Sequence, residues 1–173
     1  MTNVPDAFEV LKEESTRKLF SSLGVLNENE IEARYEVLNE TYVKKLQIEA
    51  RVIGDICINH VIPAAVSYQN LLIRNVEGLK AVFGDEYKEL CRSEIATLRD
   101  LSGYINRITD DVKELVERRK KANRIADMAQ RAKTYSRDVK EQMDKVRDSA
   151  DRLEMIVDDE LWPLPKYREL LFF

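Results

Sequence analysis

From Ile31 to His60 apolar side chains recur in steps of three and four, through Tyr35, Leu38, Tyr42, Leu46, Ala50, Ile53 and Cys57. That spacing keeps one face of an α-helix apolar for many turns, and no strand period accommodates it. The start is marked as well. Asn27 followed three residues later by Glu30 has the form of a capping box, in which each side chain serves the other's backbone N–H. Turn material is scarce, with five glycines and four prolines in 173 residues. The chain is therefore expected to fold as a few long helices, and a β architecture with many turns is excluded.

The same logic divides the rest. Residues 5 to 22 read as one helix opened by Pro5, with Ala7, Phe8, Leu11, Leu19 and Phe20 as its apolar side and Ser21, Ser22 and Gly24 as its stop. Between Val52 and Ile73 apolar residues occupy nearly every side of the helix, which predicts that protein surrounds it. Pro63 falls inside this stretch and removes a backbone donor, so a kink is expected there. Gly78 and Gly84 offer an end before Asp85.

Two further seams follow. One runs Tyr87, Cys91, Leu98, Leu101, Ile105, Ile108, Val112 and Leu115, with Glu94 as a misfit. The other runs Ala129, Ala132, Val139, Met143, Val146, Ala150, Leu153 and Val157, with Ser136 as a misfit. The phase slips by one residue between them. Asp127 with Gln130 forms another N-cap pattern, and these signs together predict a reversal near 122 to 126. The expected fold is all-α, an elongated bundle of long antiparallel helices with a Pro-kinked central helix and an extended apolar C-terminal tail. Its organisation is read as an N-terminal helix over 1–26, a long-helix bundle over 27–160 and a docking tail over 161–173, one structural domain overall.

The tail L-W-P-L-P-K-Y-R-E-L-L-F-F holds the only tryptophan. Pro163 and Pro165 hold its start extended. Trp162, Leu164, Tyr167, Leu171 and Phe172 are candidate docking residues, because burying such side chains is worth about 1.5–3 kcal/mol each. Just before it, Asp158, Asp159 and Glu160 stand where a helix C-terminus disfavours negative charge, so either the helix stops earlier or a cation answers them.

Chemistry is harder to find. His60 is the one histidine, and with Asp55 and Asn59 it is read as a structural polar group of the core rather than a catalytic residue. No Glu-x-x-His, zinc spacing, Walker A or Gly-x-Gly-x-x-Gly pattern occurs. Pairs such as Asp110 with Asp111 fit a solvated helix face. Cys57 and Cys91 read as buried thiols. A net charge of −4 gives no bulk attraction to nucleic acid or anionic membrane, and the N-terminus lacks the features of a secretory signal. The expected setting is cytoplasmic, with neither nucleic acid nor membrane as partner. No catalytic, cofactor-binding or metal residue is assigned.

Two strings carry a resemblance. The tail D-D-E-L-W-P-L-P-K-Y-R-E-L-L-F with the preceding V-R-D-S-A-D-R-L-E-M-I-V, and E-T-Y-V-K-K-L-Q-I-E-A followed by I-P-A-A-V-S-Y-Q, resemble the C-terminal region of type III glutamine synthetases. Residues 4 to 44 are also similar to helices that close the catalytic domain in glutamine synthetases generally. The resemblance implies a parent enzyme that joins ammonia to glutamate using ATP and Mg or Mn, in stacked hexameric rings. It implies that the catalytic groups precede residue 1, and that the partners of this chain are the catalytic domain of the same enzyme and neighbouring subunits of a homo-oligomer. A packing, assembly or regulatory role without a catalytic site follows. The competing reading is a free-standing helical adaptor that binds a partner helix or itself.

Overall fold

A computed structural model describes residues 3 to 171, apart from the side chains of Tyr167 and Arg168. Among the described residues there is no strand, and long helices form an all-α bundle. The elements in order are α1 (Val4–Phe8), a 3₁₀ turn (Glu9–Lys12), α2 (Glu14–Ser22), α3 (Glu28–Ile56), a π turn (Cys57–Val61) and α4 (Ile62–Phe83). A second 3₁₀ turn (Gly84–Glu86), α5 (Tyr87–Leu90), α6 (Arg92–Asn123), α7 (Met128–Thr134), another π turn (Tyr135–Val139), α8 (Lys140–Glu154) and α9 (Tyr167–Leu170) complete it.

The caps read from sequence are present. Asn27 N–H donates to Glu30 Oε2 at 2.8 Å while Glu30 N–H donates to Asn27 Oδ1 at 3.0 Å. Gln130 N–H donates to Asp127 Oδ2 at 2.6 Å, which opens α7 after the reversal. Gly84, at φ 59°, ends α4 in a conformation that a side chain would strain.

The N-terminal stretch differs from the expected single helix. Glu13 is extended, at ψ 137°, and separates the 3₁₀ turn from α2. Long-range partners place this segment: Tyr35 Oη donates to Glu9 Oε1 at 3.0 Å, Lys133 pairs with Glu9 at 2.7 Å, and Lys12 sits 4.2 Å from the Tyr35 ring centre.

The chain divides into two compact units, Met1–Val52 with Glu114–Asp144, and Ile53–Lys113 with Lys145–Phe173. In the first, Ile31, Tyr35, Val43, Leu46 and Ala50 of α3 join Leu115, Ala122, Ala132, Tyr135 and Val139 in the core. The 92–123 and 128–154 stretches run antiparallel here, since Tyr135 Oη donates to Asn123 Oδ1 at 2.7 Å and Arg118 Nη1 to the Asp138 carbonyl at 3.2 Å. In the second unit, Cys57, Val61, Ala65 and Leu72 pack with Cys91, Leu101, Ile108, Val112, Val146 and Leu153. There α4 opposes α6, with Gln69 Nε2 bonded to Ser102 Oγ at 2.8 Å.

Both π turns shift the inward-facing register. Pro63 does not stop the helix. It follows a wider turn in which Ile62 N–H bonds to the Cys57 carbonyl, five residues back, and this relieves the crowding that a proline ring causes one turn upstream. The wider turn brings Val61 rather than His60 to the inside. The expected core role of Asp55, Asn59 and His60 is therefore corrected: all three are exposed. The turn at Tyr135–Val139 likewise makes Tyr135, Gln142 and Ser149 the buried positions, while Met143 and Ala150 are only half-buried. That register accounts for the misfit at Ser136.

The stretch apolar on all sides is also covered on one side only. Val52, Ile58, Val66, Leu71 and Ile73 are exposed in this chain.

Candidate functional site

Among the described residues no group of three or more His, Cys, Asp or Glu converges as a metal site would require. Asn59 Nδ2 donates to Asp55 Oδ1 at 2.6 Å on the outside of the helix, four residues apart, and His60 makes no hydrogen bond or ion pair there. The donors present do not fit a divalent ion, and no glycine-rich loop offers a phosphate cradle. Cys57 and Cys91 are buried free thiols. Burial pushes the Cys57 thiol up to about 11, with the Asp151 charge adding to it, and burial raises Cys91 as well. Neither is a poised nucleophile.

The developed arrangement is at the C-terminal end of α8. The helix stops at Glu154, ahead of the acidic triplet. Trp162 N–H then bonds to the Asp158 carbonyl at 3.0 Å, and the chain folds back. Lys166 Nζ donates to the Glu154 carbonyl at 2.9 Å and to the Val157 carbonyl at 3.4 Å, and pairs with Asp159. Its ammonium lies 6.0 Å from the Trp162 ring centre. One cation thus satisfies carbonyls left open at a helix end and neutralises one of three crowded carboxylates. Sequence reasoning posed the two ways out for those carboxylates, and both are used. The role of Lys166 was missed, although a lysine seven residues beyond Asp159 and between two turn-forming prolines and an aromatic was the available signal.

Trp162 is 8% exposed and belongs to the second unit's core. Its indole N–H has no acceptor among the described residues. Leu164 and Leu171 are exposed, at 36% and 76%, as is Leu170. Trp162 and Lys166 thus anchor the tail, while Leu164, Leu170 and Leu171 face outward. Phe172 and the Tyr167 side chain lie outside the described residues.

Two further apolar features belong to separate units. In the first, Leu11, Phe20, Val25, Leu26, Val37 and Leu38 line a groove of about 720 Å³. In the second, α4 leaves Val66, Leu71 and Ile73 uncovered. The helical run Glu28–Leu90 contains an 18-residue window apolar enough, by length and composition, to cross a membrane. Asn59, His60, Ser67, Gln69 and Asn70 interrupt the apolar run and suit a protein cover better than hydrocarbon.

A family model described as the glutamine synthetase C-terminal domain matches residues 1–80. The chain is 39% identical over 171 residues to a glutamine synthetase of Bacteroides fragilis, a match covering 98% of this chain and 24% of that protein. It is 29% identical over 174 residues to a type-3 glutamine synthetase of Dictyostelium discoideum, covering 99% of the chain and 24% of the relative. A glutamine synthetase of Butyrivibrio fibrisolvens is 25% identical over 169 residues, with 98% and 24% covered. The matched part is the C-terminal region of these proteins, and the chain spans about a quarter of their length.

Proposed function

Since the chain belongs to the glutamine synthetase family as a C-terminal region, we propose that it is the helical closing part of a larger polypeptide that ligates ammonia to glutamate with ATP. The observation that carries this reading is the match itself, which runs along 98% of the chain yet reaches only 24% of the Bacteroides fragilis protein. Divalent-metal and ATP chemistry, in which Mg or Mn serves, belongs to the upstream portion. The helical chain described here packs, supports assembly of a cytoplasmic homo-oligomer and leaves the chemistry to groups outside it.

The test is an assay of glutamine formation with ATP, ammonia and Mg²⁺ or Mn²⁺. This chain alone is expected to give no turnover, and the same chain joined to the region that precedes residue 1 is expected to restore it. Enzymatic turnover by the isolated chain would overturn the reading. So would a reading frame that begins at residue 1 with no catalytic region before it.

A further inference from the structure

Among the described residues, large exposed apolar side chains are distributed unevenly. Fifteen lie in residues 4–90 and none in 91–154. Every exposed side chain in 91–154 is charged, polar or small. Solvent therefore sets the composition of the second half's outer faces, whereas the first half carries apolar faces that this chain does not cover.

The sharpest case is residues 56–73, which contain no Asp, Glu, Lys or Arg in a chain that is 35% charged. The inner side of this helix packs Cys57, Val61, Ala64, Ala65 and Leu72 within the second unit. Its outer side exposes Ile58, Val66, Leu71 and Ile73 by 39–55%. A solvated helix face keeps its charges, while the centre of a protein interface loses them. Asn59, Ser67 and Asn70 are exposed on the same helix and can bond across a protein contact.

Resting on the reading above that the chain closes a larger glutamine synthetase, we propose that this uncharged outer side of residues 56–73 is where the upstream catalytic portion of the same polypeptide packs. Two observations select that occupant. The face lies wholly within residues 1–80, the part matched by the family's C-terminal domain model. The relatives carry about three times as much chain outside the match, placed ahead of it, which supplies the cover.

The test is thiol labelling with a maleimide. Ile73→Cys, and separately Val66→Cys, are made in the isolated chain and in the whole polypeptide, with Lys113→Cys as a control. Native Cys57 and Cys91 are buried and contribute only a slow background. Positions 73 and 66 are expected to label roughly tenfold or more slowly in the whole polypeptide than in the isolated chain, as for a face covered ten times as often as it is open. Position 113 should label equally in both. Equal rates at 73 and 66 would overturn the proposal. Protection of the isolated chain that disappears on dilution would assign the face to a second copy and overturn it too, as would protection lost when the whole enzyme is dissociated into single subunits. Loss of folding in the whole polypeptide but not in the isolated chain supports a buried face, whereas loss in both places these residues in the chain's own core and counts against it. A reading frame lacking the upstream portion removes the premise, which is a different failure from equal labelling.

Discussion

Lys166 joins two features that composition alone leaves unconnected, an acidic helix end and an apolar tail. Its ammonium caps the Glu154 and Val157 carbonyls and answers Asp159. Replacing it by Met keeps the stem and removes the donors, so Lys166→Met is expected to cost about 1–3 kcal/mol in a denaturant titration, beyond the value of an exposed ion pair. The Trp162 emission should shift to the red as the tail loosens. A change of under a few tenths of a kcal/mol would show that the carbonyls find water equally well. Cys57 makes a second prediction. Its pKa is raised from 9.0 to about 11 by burial, so at pH 8 the native thiol should react with a disulfide reagent about a hundredfold more slowly than in the unfolded chain. Because the folded value is the higher one, the associated stability is present in full below pH 9.0 and is lost as pH rises toward about 11. Tyr35, raised by burial and then by its bond to Glu9 to about 12, extends the same loss to higher pH. Thermal midpoints measured from pH 8 upward should therefore fall, and a flat profile would contradict the burial of both groups.

The ends of the long helices depend on local chemistry. Asn27→Ala removes the acceptor for Glu30 N–H and should cost about 0.5–2 kcal/mol, measured by chemical denaturation, with Asn27→Asp close to neutral. These caps, the reversal between Asn123 and Met128 and the stop at Gly84 were legible in sequence because each is set by neighbours three or four residues away. Neither π turn was legible. One extra residue in a turn leaves no local composition signal, yet it moved His60 outward and put Tyr135 where Ser136 was the nominal seam position. The break at Glu13 was missed for another reason. Glu9 is held by Tyr35 and Lys133, and a partner 124 residues away has no counterpart in a helical period. At the candidate site, the apolar content of the tail could be read, but which of its side chains turn inward could not, because that follows from where Lys166 fastens it.

Across the whole chain, the tail contributes to stability as well as presenting apolar surface. Truncation after Glu160 removes the buried Trp162 and the Lys166 caps together, and loss of the tryptophan side chain alone is worth about 3–5 kcal/mol. The shortened chain is expected to melt well below the full one, whatever its state of association. An unchanged midpoint would mean that the tail only rests on the second unit. Both units are discontinuous, and the first needs Glu114–Asp144 to complete what Met1–Val52 begins. During synthesis the segment around Glu9 leaves the ribosome long before Lys133, the residue that holds it. At about 5–20 residues per second, that wait lasts roughly 6–25 s. For that interval the segment around Glu9 is out of the ribosome without its final partner, a window in which off-pathway association competes with folding.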